Sequence, residues 1–179
     1  MFEARKRYFL TLLAIGSMVA GSLSGAMVRK MDLPEICGNS DRIFRGIVRS
    51  ATPGTVSAGG GELPTVTYRI EVVEAFQGSF ETKGDKQMAE LTMLGQIKGR
   101  TVGNLQSFSG LPELPQLTVG REYLLLATAE SSIGLSTTVG LAQGCFLISG
   151  QGKNEVATDG IGNSRAYAGL ADEIRAALQ

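Results

Sequence analysis

The stretch TVTYRIEVVEAFQ, Thr65–Gln77, carries the strongest structural signal in the chain. Val66, Tyr68, Ile70, Val72 and Phe76 fall at the even spacing that places them on one face of a β-strand, while Thr65, Thr67, Arg69 and Glu71 take the other. Its β-branched and aromatic residues suit a pleated, half-buried surface. Gly78 ends the run. A strand this long twists and coils around a core rather than lying flat. Arg69 and Glu71, neighbours on the outer face, read as solvated charge.

N-terminal to it, Ala51–Pro64 is rich in Gly, Pro, Ser and Thr and reads as a loop with Gly59-Gly60-Gly61 at its tip. No Lys-Ser/Thr pair follows those glycines, so this is not a phosphate-binding loop. Ile43–Val48 is a first strand, interrupted at Gly46, where a bulge or close backbone approach is expected. Asp32–Ser40 reads as an irregular lead-in carrying Pro34 and Cys37. On the C-terminal side, Met88–Leu94 and Arg121–Thr128 are further strands, separated in part by a connection, Ser107–Gly120, around Pro112 and Pro115. Thr137–Ile148 follows, bent at Gly140 or Gly144. Short strands with turn signals and no βαβ alternation point to a mainly β domain, a barrel or sandwich. Only the end reads as helix. From Gly169 to Gln179, Leu170, Ile174, Ala177 and Leu178 share a face, which packs on the core or meets a partner.

A chain of 179 residues has room for one domain of ordinary size. Its formal charge is zero, and removing Glu3, Arg5, Lys6 and Arg7 with the N-terminal segment leaves a slight acidic excess. No basic surplus exists to neutralise phosphates, which argues against nucleic acid as a partner. Histidine is absent altogether. That removes the usual general base of serine and cysteine hydrolases and the commonest catalytic zinc ligand. No cofactor, metal site or catalytic residue is therefore expected. An enzyme with an unrecognised carboxylate-based site stays open as an alternative.

Residues 1–26 read as an address. Arg5, Lys6 and Arg7 precede an apolar stretch, Tyr8–Ala20, of signal-peptide length. Ser24 and Ala26 supply small side chains at the −3 and −1 positions of a cleavage site after Ala26. The alternative is an uncleaved anchor, the one case in which this chain meets a membrane. Arg29 and Lys30, directly after the stretch, weigh toward retention. Either way residues 27–179 form one domain facing an extracytoplasmic, periplasmic or extracellular, space. The only two cysteines, Cys37 and Cys145, would then sit where disulfides persist. A Cys37–Cys145 bridge is expected, closing a loop of about 100 residues, for which chain entropy gives roughly 4–5 kcal/mol. Two buried free thiols are the alternative.

Four segments form an ordered set: CGNSDRIFRGIVRS at Cys37–Ser50, TYRIEVVEAFQGS at Thr67–Ser79, VGREYLLLAT at Val119–Thr128 and VGLAQGCFLI at Val139–Ile148. The set resembles a broad group of exported bacterial proteins of unknown function. More distantly it is similar to the netrin-like module and to tissue inhibitors of metalloproteinases. The resemblance implies a small OB-like β-barrel with a C-terminal helix at about 169–179. Those inhibitors place an N-terminal cysteine on the enzyme's zinc, and Cys37 matches that cysteine by order. With a cut after Ala26, Cys37 lies inside the mature chain rather than at its start. The expected function is non-catalytic binding in the cell envelope or outside it. Inhibition of a secreted protease, such as a metalloprotease, is the specific alternative. Candidate binding residues are Gly140, Gln143 and Gly144, where the Gln143 amide offers both donor and acceptor, against the reading of a turn shaped by its backbone alone. Tyr123, within a leucine-rich strand, reads as a core or rim residue.

Overall fold

In the computed structural model, which describes residues 29–96 and 114–179, Thr65–Gln77 lies within a longer strand. The described elements are α1 (Leu33–Gly38), β1 (Arg42–Ala58), β2 (Gly61–Gln77), β3 (Glu81–Lys83), β4 (Lys86–Leu94), β5 (Glu122–Ala127), β6 (Cys145–Ser149), β7 (Val156–Asp159), β8 (Ser164–Ala166) and α2 (Tyr167–Ala177). The strands form one antiparallel sheet in the order β3-β4-β2-β1-β5-β6-β7-β8. Ser24, Ala26 and the whole address segment lie outside the described residues, as does Pro112 of the expected connection. Among the described residues no helix is long and apolar enough to cross a membrane.

The expected loop Ala51–Pro64 is instead the outer half of a β-hairpin. Ala58 pairs with Gly61, and Gly59 and Gly60 make the two-residue turn with φ of +61° and +79°. Two successive positive φ angles match the twist of the flanking strands, and glycine adopts them without a Cβ penalty. Pairing here comes from the hairpin partner and not from an apolar stripe, which is why the sequence pattern concealed it.

Both faces of the sheet are covered by apolar side chains, and β5 shows why. Its alternate residues Leu124 and Leu126 join a helix-side core with Ile43, Phe146, Leu170 and Ile174. Tyr123, Leu125 and Ala127 join a far core with Phe44, Ile70 and Leu91. A strand buried on both faces reads as a continuous apolar run, as YLLLA does. The far core gathers Val66, Tyr68 and Ile70 as the even spacing of β2 requires, but Phe76 belongs to the other side. The β1–β2 register steps over Val73 and Phe76, so β2 is bulged twice and its later residues are re-aimed toward the helices. At Gly46 the expected close approach is present: a Cβ there would lie 2.6 Å from the Glu71 carbonyl oxygen.

The closed barrel is not formed. The sheet ends at β3 and β8, and among the described residues no ladder joins them. It curls far enough for Thr138 to bridge Ala127 beside β5 while the Ser136 N–H donates to the Thr92 carbonyl of β4, at 2.9 Å. After Val139 the chain turns away, as Gly140 and Leu141 take positive φ, +62° and +55°, and lead into a 3-10 turn, Leu141–Gly144.

Helices cover one face. The lead-in is not irregular throughout: Asp32 caps α1 by accepting from the Glu35 N–H, and Pro34 sits in its first turn. α2 begins two residues before the expected Gly169 and buries Tyr167, Leu170, Ala171 and Ile174 against the sheet. Leu178 is partly buried there, whereas Ala177 is exposed.

Candidate functional site

The Gly140–Gly144 segment is assembled by its own backbone. Gly140 is left-handed, the Leu141 N–H donates to the Thr138 carbonyl, and the Thr138 hydroxyl donates to the Leu141 carbonyl at 2.6 Å. Gly144 is fixed by contact: a Cβ would meet the Val139 carbonyl oxygen at 2.4 Å and that of Leu126 at 3.1 Å. The structure thus brings Gly140, Gln143 and Gly144 together, but the Gln143 amide already has partners in this chain. Its Oε1 accepts from the Met31 N–H at 2.9 Å. Its Nε2 donates to the carbonyls of Arg29, at 3.0 Å, and Gly140, at 3.3 Å. One primary amide therefore holds the C=O of residue 29 and the N–H of residue 31, groups that an extended chain presents on one side, as a neighbouring strand would. Met31 packs against the helix-side core, and its sulfur would lie 3.4 Å from a Cβ on Gly140. The expectation named the amide chemistry and not its partner, the backbone of residues 29 and 31.

Cys37 and Cys145 are both free and buried, so the expected bridge is corrected. Cys145 pairs with Leu125 and shares its far core, while Cys37, on α1, lies in the helix-side core with Leu124 and Leu126. Successive residues of β5 point to opposite faces, so the sheet stands between the two thiols. Burial pushes the Cys145 thiol up to about 12 and raises that of Cys37. Cys37 is 1% exposed and its carbonyl accepts from the Ser40 N–H.

The densest charge cluster was not among the expected sites. Arg45 of β1 lies on the helix side, where its Nε donates to Glu122 at 2.6 Å and its two terminal nitrogens donate to both oxygens of Glu155, at 2.8 and 2.7 Å. The guanidinium also stacks over the Tyr167 ring, 4.4 Å from its centre. The Tyr167 hydroxyl donates to Glu74 at 2.5 Å, and Arg175 of α2 pairs with the same carboxylate. Bonding to Glu155 drives the Arg45 guanidinium further up, and Arg45 in turn holds the Glu155 carboxyl below the usual range. Burial, with the Glu74 carboxylate beside it, raises the Tyr167 hydroxyl. Each of these carboxylates faces an arginine, which leaves none poised as an acid–base pair. Among the described residues no three His, Cys, Asp or Glu side chains gather to hold a metal ion. The available signal was Arg45 standing alone in the apolar run IFRGIV, a buried charge that requires partners.

One further feature stands apart from these. β5 pairs with β1 only from Arg42 to Ile47, and β4 pairs with β2 only from Thr65 to Val72, but β1 and β2 pair on to Ala58 and Gly61. Beyond the sheet, Thr55–Ala58 and Gly61–Pro64 make a two-stranded arm, on the order of 13 Å long. Its only charged side chain is Glu62, whose carboxyl bonding to Ser57 and Thr55 holds below its ordinary value.

Fold and site together define a mainly β domain, one antiparallel sheet with a C-terminal helix. No protein-family model, curated protein or solved structure matches the chain.

Proposed function

We propose that this chain is an exported, non-catalytic binding domain of the cell envelope or extracellular space, built on an OB-type, netrin-like barrel that is left incompletely closed. The observation that carries the reading is the β1–β2 arm. An extended ribbon of small, uncharged residues offers backbone and hydroxyl groups but almost no charge, a surface suited to an uncharged stretch of polypeptide and not to phosphate. Pro53, on β1 just before the arm and beyond the reach of β5, lacks an N–H and blunts the tendency of this edge to pair with copies of itself. The charged groups on the helix side are occupied by one another, which favours binding over carboxylate chemistry.

An arm that could enter a cleft also gives the protease-inhibitor reading its footing. That reading would run through the arm and not through Cys37, whose burial leaves it no route to a partner's zinc. A photoreactive residue placed at Thr55 on the arm, with Asp172 on the outer side of α2 as control, tests the proposal in envelope fractions. A discrete crosslinked species from Thr55 and none from Asp172 is expected. Equal crosslinking at both sites, or none at Thr55, would contradict it.

A further inference from the structure

The Gln143 hydrogen bonds fall at a telling place in the chain. Arg29, Lys30 and Met31 come directly after the export segment, and only Met27 and Val28 separate them from Ala26. The segment is held at three points within the described domain. Gln143 takes the backbone of residues 29 and 31, the Met31 side chain packs against the helix-side core, and the Arg29 guanidinium pairs with Glu35 of α1. A Cβ on Gly140 would crowd the clasping side chain itself, 3.1 Å from the Gln143 Nε2.

We propose that Gln143 is a clasp that makes the export junction part of the folded domain, so that folding closes the junction to proteases and the maturation cut must come first. The biological consequence rests on the export reading above; the clasp itself does not. A protease needs its substrate as free, extended backbone, and backbone already bonded within a fold is cut only when that region opens. Two extended residues reach at most about 7 Å, so only that length of chain separates Ala26 from the held backbone of residue 29. The clasp reads backbone and not side chains, so it seats whatever extended stretch emerges there. Met31, through its apolar seat, and Arg29, through Glu35, add selectivity. If the export segment is kept, the same geometry holds the Gly140–Gly144 end of the domain close to the membrane and leaves no free tether.

Trypsin probes the clasp directly, because two of its target bonds, after Arg29 and after Lys30, lie inside it. The full-length chain in mild detergent is digested briefly, folded and in urea, as wild type, Gln143→Ala and Gln143→Glu. In the folded wild type both bonds are expected to be cut far more slowly than in urea. In folded Gln143→Ala they should be cut about tenfold faster than in wild type, as loss of one or two net hydrogen bonds implies. Cutting after Lys153, in the β6–β7 connection, should not change. Gln143→Glu keeps the acceptor for Met31 and loses the donor for Arg29, and should fall between. Equal rates after Arg29 and Lys30 in folded wild type and Gln143→Ala, with matching melting temperatures, would overturn the clasp. Signal peptidase applied to the same samples separates the two readings. A cut after Ala26 in urea-unfolded chain just after dilution, but not in folded chain, supports the order of events. Equal cutting of both overturns the order, and no cutting of either overturns the maturation cut while the trypsin result still decides the clasp.

Discussion

Replacing Arg45 with alanine removes the one cation shared by Glu122, Glu155 and the Tyr167 ring. The side chain is 12% exposed, and its partners retain 25% and 22%. Removing one partner of a buried ion pair costs about 3–5 kcal/mol, because the remaining charge stays desolvated without compensation. The residual exposure of both glutamates places the expected loss at the low end, about 3 kcal/mol including the lost stacking. For a domain of this size that is a fall in melting temperature of roughly 6–12 °C. The effect depends on pH with a definite sign. Arg45 holds the Glu155 carboxyl below its unfolded value, so the contribution is present above about pH 4.5 and fades as pH falls through the folded value. Melting curves of wild type and Arg45→Ala at pH 7 should therefore differ widely and converge in acid. The double variant Arg45→Met with Glu155→Met should recover much of the loss, since apolar groups of similar volume replace buried pairs at little cost. A shift under 2 °C at pH 7, or one that grows in acid, would refute this account of how α2 is fastened to the sheet.

Gly144→Ala should destabilise by about 1–3 kcal/mol through overpacking, because its Cβ would sit 2.4 Å from the Val139 carbonyl oxygen and neither backbone can yield cheaply. A chemical melt checks it, and an unchanged midpoint would contradict the packing. Thiol titration should find two reactive groups per chain in denatured, unreduced protein and neither reacting quickly in the native state, where burial keeps Cys145 protonated. Reductant should leave the melting temperature unchanged; no titratable thiol in the denatured chain would restore the bridge.

What the sequence disclosed follows from where its patterns were local. The alternation in Thr65–Val72 and the apolar run of β5 each report burial directly, and α2 showed its stripe. The two bulges of β2 had no such trace, because Val73 and Phe76 look like any other apolar residues until β1 is laid beside them. α1 left a trace that the reading of an irregular lead-in passed over, Asp32 and Glu35 three residues apart with Pro34 between, which is a capping pattern. β7 and β8 are too short to establish a period. The disulfide expectation counted cysteines correctly and failed on topology, since which face of the sheet each thiol occupies is set by long-range pairing. The glutamine of the Gly140–Gly144 turn was legible as chemistry and not as a contact, its partner lying more than a hundred residues away.

The central claim, an exported domain whose junction is cut before it folds shut, is tested most directly by the mass of the protein recovered from fractionated cells. The account predicts an extracytoplasmic chain beginning at Met27, with both cysteines as thiols. A full-length chain in the soluble cytosolic fraction would contradict it.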